Sequence, residues 1–271
     1  MDDAARLATL VETWRGAIES FVALAREIPA EQWDLPTDLP GWSVKDNVAH
    51  TAHLEAVLAG APEESLEVSP AEHIRDLAGF YTEQGVLARR DLDMPALVEE
   101  IETAAAARYA ELQADPPTDG AAAPPRTPAG VPWNNQTLLS NRPLDVWMHE
   151  QDIRRAIGRP GGYDCAAARH TVSSLGRALG MVVGKRVAPP AGTTVRLAVP
   201  DFAETWTVSI GEDGRAGAAP EDAGADVTIT LGAEDFVVLA GGRRTVEATA
   251  PAYDGDEALG RKVLENLGVT P

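Results

Sequence analysis

The chain has 271 residues, of which 44% are hydrophobic and 24% are charged, and its formal net charge is −19. This length allows one large domain or two ordinary ones, each with its own core. The negative charge and the lack of a basic stripe argue against nucleic acid or anionic lipid as a partner. No apolar run approaches the length that a membrane-spanning helix needs.

The N-terminal residues and the number of cysteines narrow the possible locations and chemistries of the protein. Met1-Asp2-Asp3 is acidic and no apolar signal core follows it, which predicts a cytoplasmic protein. Cys165 is the single cysteine, so an internal disulfide and a thiolate-rich zinc site are both excluded. Any thiol chemistry would therefore use a thiol from outside the chain.

The first part of the chain has helical periodicity. Apolar residues recur at three- and four-residue steps over 4–28, and Pro29 ends that run. Ser43 is placed to cap a second helix that stops before Gly60. Two more helices are predicted from Ser69 to about Arg90 and from Met94 to about Leu112.

A proline-rich irregular loop over 115–134 interrupts this helical region, as loops near functional sites often do. The helical pattern resumes at Arg142-Pro143 and runs to Ile157, with Gly158 as its C-terminal stop. Another helix is predicted over about 166–183.

After Pro189-Pro190 the periodicity changes from helical to alternating. The predicted strands are Thr193–Val199, Trp206–Ile210, Asp226–Leu231 and Thr245–Ala250, and the predicted helices are Ala233–Leu239 and Leu259–Leu267. We therefore predict an all-helical domain over 1–186 and a smaller α+β domain over 187–271.

The residues with most chemical promise lie between Arg142 and Asp152. On a helix, Asp145, His149 and Asp152 share one face, which suits the binding of one metal ion inside a bundle. His50, on the second predicted helix, is the natural third ligand. On spacing alone, however, a surface pair of Asp145 with His149 is the commoner arrangement, and a buried His50 often only satisfies a hydrogen bond.

The remaining histidines and two tryptophans have simpler interpretations. His53 and His73 are interpreted as surface or packing residues, and His170 as a residue on the outside of its helix. Trp42 and Trp147 are candidates to line a cavity, although core packing is the ordinary role of a tryptophan.

Three separated motifs resemble one protein family. Leu39-Pro-Gly-Trp-Ser-Val-Lys-Asp-Asn-Val-Ala-His50 resembles the start of the second helix in DinB-like metal-binding bundles, and Asp145-Val-Trp-Met-His-Glu-Gln-Asp-Ile-Arg-Arg-Ala156 resembles their second hallmark. The tail segments 235–244 and 255–260 complete a pattern similar to the mycothiol-dependent maleylpyruvate isomerase family. The resemblance implies a DinB-like four-helix bundle followed by a small α+β domain, the fold class α + (α+β).

The resemblance also implies the site. In that family, a histidine of the second helix and a carboxylate and a histidine of the later helix bind zinc, which assigns His50, Asp145 and His149 as the metal ligands. The family's carboxylate is usually Glu, so Asp145 is one methylene shorter. A functional arginine of the C-terminal domain, matching Arg243 or Arg244, would contact the carboxylates of the substrate.

The chemistry expected of such a site is activation of a thiol. Three protein ligands leave one tetrahedral position of a divalent metal, expected to be zinc, open to the thiol of mycothiol, which the metal deprotonates. The thiolate would attack a small electrophile, either isomerising maleylpyruvate or remaining attached as in an S-transferase. Asp152 would not bind the metal and would instead fix the orientation of the imidazole of His149.

The residues leave two alternative functions open. A metal-assisted hydrolase would use the open position for water, and a non-catalytic module would bind a small molecule or a protein partner. The expected partners are a low-molecular-weight thiol and an electrophile, and the expected assembly is a monomer or weak dimer.

Overall fold

A computed structural model describes residues 2–220 and 223–270 of the chain. The structure divides into two compact units, with the boundary between Ala168 and Arg169. Each unit has its own architecture, and the first consists of helices. Within the described residues, no helix combines the length and the apolar character needed to cross a membrane.

Five long helices build the first unit. They are α1 (Asp3–Arg26), α2 (Val44–Leu58), α3 (Leu77–Arg89), α4 (Met94–Ala114) and α5 (Asn135–Ala156). Helices α1 and α2 each pack against both α4 and α5, which makes a four-helix bundle, and α3 lies against α2. Apolar side chains of all four bundle helices are fully buried, among them Trp14, Val48, Ile101 and Trp147.

Side-chain caps set where these helices begin. Ser43 and Asp46 form a capping box at the start of α2, as the sequence predicted. Asp76 caps α3, so this helix begins at Leu77 and the predicted start at Ser69 is wrong. Asn134 caps α5, so that helix begins about two turns before the predicted Arg142 and contains Pro143 within it.

The second unit is a mixed sheet with helices. Its leading helical segment comprises α6 (Ala166–Gly176), which spans the boundary, α7 (Leu179–Met181) and a wide turn over Val182–Val187. The strands are β1 (Thr194–Val199), β2 (Glu204–Ile210), β3 (Ala216–Ala218), β4 (Val227–Thr230) and β5 (Ala252–Gly255), and the later helices are α8 (Ala233–Ala240) and α9 (Glu257–Glu265).

The sheet has the order β3-β2-β1-β4-β5, in which β1 and β4 are parallel and the other pairs are antiparallel. On the central strand, Val195, Leu197 and Val199 are completely buried, as their alternation predicted. A helical bundle followed by a small α+β unit is thus the fold, and the predicted fold class is confirmed.

Two predicted elements of the second unit differ from the structure. The segment predicted as a strand over 245–250 contains a single helical turn at Val246–Ala248, closed by a bond from Thr249 Oγ1 to the carbonyl oxygen of Val246. The last strand is β5 instead, and the short β3 was not predicted. Both have few β-branched or aromatic residues, so their sequences carry a weak strand signal.

The boundary between the units lies before the predicted one. The sequence placed it where the periodicity changes, near residue 186. The structure includes the preceding helical segment in the second unit, because Gly176 of α6 packs directly on Trp206 of β2. A Cβ atom at Gly176 would lie 2.1 Å from that ring.

Candidate metal centre

Helices α2 and α5 bring the three predicted ligands together inside the bundle. Asp145 and His149 are one turn apart on α5, and His50 faces them from α2. Nε2 of His50 lies 3.6 Å from Oδ2 of Asp145, and Nε2 of His149 lies 3.7 Å from Oδ1 of the same carboxylate. One donor atom from each residue lies within 4.8 Å of the others.

This donor set fits a divalent metal such as zinc. Two imidazole nitrogens and one carboxylate oxygen are zinc ligands, and ligands of a tetrahedral zinc lie about 3.3 Å apart when each bond is about 2.0 Å long. The distances from the two histidine nitrogens, each to a different oxygen of Asp145, are close to that spacing. His50 and His149 are buried and Asp145 is partly exposed, so the trio offers a protected site with one more accessible side.

The protonation of His50 and Asp145 suits metal binding. Burial lowers the pKa of His50 to about 4, despite the opposing effect of Asp145, so its ring is neutral at neutral pH. Burial alone would raise the pKa of Asp145, but Arg142 and the two histidines hold it well below its usual range. A neutral imidazole and an ionised carboxylate both present lone pairs.

The orientation of His149 is set by a residue that the sequence did not single out. Nδ1 of His149 lies 2.9 Å from Oδ1 of Asn47, which is completely buried. The Nδ2 atom of Asn47 donates to the carbonyl oxygen of Ser43, so its oxygen is the atom left for His149. This pairing protonates Nδ1 and leaves Nε2 to face Asp145. Asn47 lies one turn before His50 on α2, and this spacing is the signal that could have found it.

Asp152, the predicted support of His149, is also close. Its Oδ2 lies 3.4 Å from Nδ1 of His149, farther than Asn47, and its Oδ1 accepts a bond from Arg155. Burial would lower the pKa of His149, but Asp145 and Asp152 outweigh it and raise that pKa. Asp152 is completely buried, and its supporting role remains a prediction.

Trp42 covers one side of the trio. Its ring centroid lies 4.9 Å from that of His50 and 5.9 Å from that of His149. Nε1 of Trp42 donates to Glu83 on α3, which fixes the indole plane. Trp147 instead makes its ring contact with Tyr163.

The other histidines have separate surroundings. His53 is completely buried, with Nδ1 3.5 Å from Nη1 of Arg89. His73 is partly buried beside Glu83, and His170 lies on α6 near Ser174. These positions agree with packing roles for His53 and His73.

The two predicted arginines lie after α8 in the second unit. Arg243 is partly buried and donates to the carbonyl oxygen of Gly241 and to Oγ1 of Thr270, whereas Arg244 is exposed. Their contact with a substrate remains a prediction.

Comparisons with known proteins agree with this architecture. The family model described as the mycothiol maleylpyruvate isomerase N-terminal domain matches residues 14–154, and the model of the corresponding C-terminal domain matches residues 168–261. No curated protein matches the chain at a significant level.

Two crystal structures of the mycothiol-dependent maleylpyruvate isomerase are similar to the chain. One, of a variant with a histidine replaced by alanine, has a TM-score of 0.58 at 15% identity and covers 93% of this chain and 96% of its own. The other has a TM-score of 0.55 at 16% identity, over 90% and 93%. At these identities the similarity establishes the shared fold. Since the N-terminal family model alone spans more than half of the residues, the chain belongs to the mycothiol-dependent maleylpyruvate isomerase family.

Proposed function

We propose that this protein is a mycothiol-dependent metalloenzyme that acts on a small electrophile, with His50, Asp145 and His149 holding zinc. The observation that carries the proposal is the convergence of their three donor atoms within 4.8 Å inside the bundle. Membership of a family named for mycothiol and maleylpyruvate supports the choice of thiol and electrophile.

A bound zinc would supply Lewis acidity sufficient to deprotonate an incoming thiol at neutral pH. The chain's own residues prepare the place for it. Asn47 keeps the proton of His149 on Nδ1, and burial keeps His50 neutral. Trp42 excludes water from one side of the trio, so the approach of a thiol is confined to the remaining side.

The mycothiol thiolate then acts as the nucleophile. In the isomerase reaction its sulfur forms a bond to one carbon of the cis double bond of maleylpyruvate, and the electron pair moves toward the neighbouring carbonyl group. Rotation about the resulting single bond and departure of the same thiolate give the trans isomer. In an S-transferase reaction the new carbon–sulfur bond would persist.

The two chemistries need the same thiolate and differ in the fate of the adduct. Family membership favours isomerisation as the first reaction to assay. Under this proposal, Arg243 or Arg244 binds the carboxylates of the substrate and Asp152 supports His149. The protein is proposed to act in the cytoplasm, as a monomer or weak dimer.

The test combines metal content with thermal stability. We expect about one zinc per chain in the wild-type protein and a loss of zinc in His149→Ala. Mycothiol should raise the melting temperature of the zinc-loaded wild type and leave His149→Ala unchanged. His170→Ala, at a histidine outside the trio, is the matched control and should keep its zinc.

Each other outcome identifies an alternative. Stoichiometric zinc without a response to mycothiol would favour a hydrolase, in which water takes the place of the thiol. Wild-type protein that takes up no zinc even when zinc is supplied would contradict the proposal and favour a binding module.

A further inference from the structure

A chain of buried ion pairs leads from the bundle interior to Asp145. Arg108 donates from Nη1 to Oε2 of Glu55 at 3.1 Å, and Oε1 of Glu55 accepts from Nε and Nη2 of Arg142 at 3.1 and 2.8 Å. Nη1 of Arg142 then donates to Oδ2 of Asp145 at 2.9 Å. Trp14 adds a bond to Glu55 from its Nε1. Arg142 is therefore the link between Glu55 and the trio.

The side chains that form these ion pairs are buried, and burial restricts their positions. Glu55 and Arg142 are completely buried and Arg108 is 4% exposed. A buried arginine loses its hydration and is stable only if its donors are paired. Glu55 takes two nitrogens of Arg142, so the guanidinium plane is held and the third nitrogen, Nη1, is directed at Asp145.

The bond from Arg142 limits how the carboxylate of Asp145 can rotate. Oδ2 accepts from Arg142 and lies 3.6 Å from Nε2 of His50, and Oδ1 lies 3.7 Å from Nε2 of His149. Each oxygen therefore faces one histidine of the trio. Because a bond to a charged donor is stronger than one between neutral groups, Arg142 holds the carboxylate in this orientation.

We propose that Arg142 is a positioning residue that fixes the orientation of the Asp145 carboxylate, so that its two oxygens face the metal-binding nitrogens of His50 and His149. This inference rests on the proposed function, because it requires a metal at the trio. Glu55 contributes by orienting Arg142, and Arg108 by compensating the charge of Glu55.

The contact of Arg142 with Glu55 and its contact with Asp145 can be separated by substitution. In Arg142→Lys the ammonium reaches about as far as the guanidinium carbon, so the pair with Glu55 is kept and the bond to Asp145 is lost. In Glu55→Gln the amide oxygen still accepts from Arg142, so the bond to Asp145 is kept while the buried charge of Glu55 is lost. The first variant therefore disturbs the carboxylate and the second disturbs the stability of the bundle.

The experiment loads each full-length protein with Co²⁺, whose visible absorption is strong in four-coordinate sites and weak in sites with more ligands. It also measures zinc affinity by competition with a chromophoric chelator. We expect Arg142→Lys to change the visible spectrum and to bind zinc about 10–100-fold more weakly, because the carboxylate of Asp145 is no longer held in place. Glu55→Gln should keep the wild-type spectrum and zinc affinity while its melting temperature falls.

An Arg142→Lys protein with the spectrum and zinc affinity of the wild type would overturn the inference and leave the proposed function intact. Equal spectral changes in both variants would overturn it too, since Arg142 would then act only through general stability. A wild-type protein that binds neither Co²⁺ nor zinc would contradict the proposed function itself, and this inference with it.

Discussion

The interiors of the two units differ in kind. In the described part of the helical unit, the buried residues include eleven with ionisable side chains: Asp46, His50, His53, Glu55, Glu83, Arg89, Arg108, Arg142, His149, Glu150 and Asp152. In the described part of the second unit, the buried polar residues are the threonines Thr171, Thr194 and Thr207.

This contrast indicates that the interior of the helical unit is the less stabilising of the two. Buried charges contribute little to stability even when paired, and an apolar core of the same volume is often more stable. The second unit has such a core, around Val195, Leu197 and Phe236. The helical unit keeps a polar interior that costs stability, which agrees with the metal centre proposed there.

The largest expected effect comes from removing the centre of the buried ion chain. Glu55→Ala would leave Arg108 and Arg142 without their shared partner, and we expect it to lower the free energy of unfolding by about 3–5 kcal/mol. The measurement is denaturant unfolding of the helical unit. Glu19→Ala, at a residue whose side chain is 63% exposed and paired with Arg15, should change it by less than about 1 kcal/mol. Similar effects in the two variants would break the comparison.

A substitution in the second unit should separate stability from metal binding. Leu197→Ala creates a cavity in the completely buried centre of β1 and should cost about 2–5 kcal/mol of unfolding free energy. Zinc content of the folded protein should stay at the wild-type value, because the proposed ligands lie on α2 and α5. Loss of zinc from folded Leu197→Ala would contradict the assignment of the site to the helical unit alone.

A smaller and more specific effect is expected at Asn47. Asn47→Ala removes the partner that keeps the proton of His149 on Nδ1, and zinc affinity should fall about 10–100-fold. Thr51→Ala, one turn later on α2 and also buried, is the control for disturbance of the helix, since Thr51 bonds back to the carbonyl oxygen of Asn47. If both variants bind zinc equally well, Asn47 does not orient His149.

Two helical glycines of the same unit should respond with opposite signs. A Cβ atom at Gly85 would lie 2.1 Å from the ring of His53, so Gly85→Ala should push α3 from α2 and cost about 1–3 kcal/mol. Gly16 on α1 has open space around its Cα, so Gly16→Ala should stabilise the protein by up to about 1 kcal/mol. Melting temperatures measured at one pH decide both, and a stabilised Gly85→Ala would refute the close packing.

The pH dependence of stability should be the most gradual effect, since it extends over several pH units. Burial, aided by Arg89, lowers the pKa of His53 to about 3, from an ordinary value of 6.5. Between these values the unfolded chain binds a proton that the folded protein does not, so stability falls as the pH drops below about 6.5. His53→Gln should flatten the slope of unfolding free energy between pH 6.5 and 4. An unchanged slope would show that folding does not lower the pKa of His53.

The same contrast explains what could be predicted from the sequence. The buried face of β1 follows from the alternation of Val195, Leu197 and Val199, because a period of two needs no knowledge of distant residues. The start of α2 follows from Ser43 for the same local reason. Resemblance to a family supplied His50, Asp145 and His149 as one set, which spacing left open between a metal site and a surface pair.

Other features depend on contacts between residues far apart in the chain, and local sequence patterns do not predict such contacts. Glu55 and Arg142 are separated by 87 positions, and each alone resembles an ordinary helix surface residue. The role of Asn47 depends on its contact with His149, which lies on the distant helix α5. The helix start at Leu77 was missed because Ser69-Pro70 has the same local signal as the true cap, Asp76.

The most direct test of the central claim is the absorption spectrum of the Co²⁺-loaded protein during titration with mycothiol. A thiolate bound to Co²⁺ produces a charge-transfer band in the near ultraviolet, and we expect this band to reach saturation at about one mycothiol per metal in the wild type and to be absent in His149→Ala. A wild-type protein that binds Co²⁺ at the trio yet develops no such band with mycothiol would contradict a thiolate-activating centre.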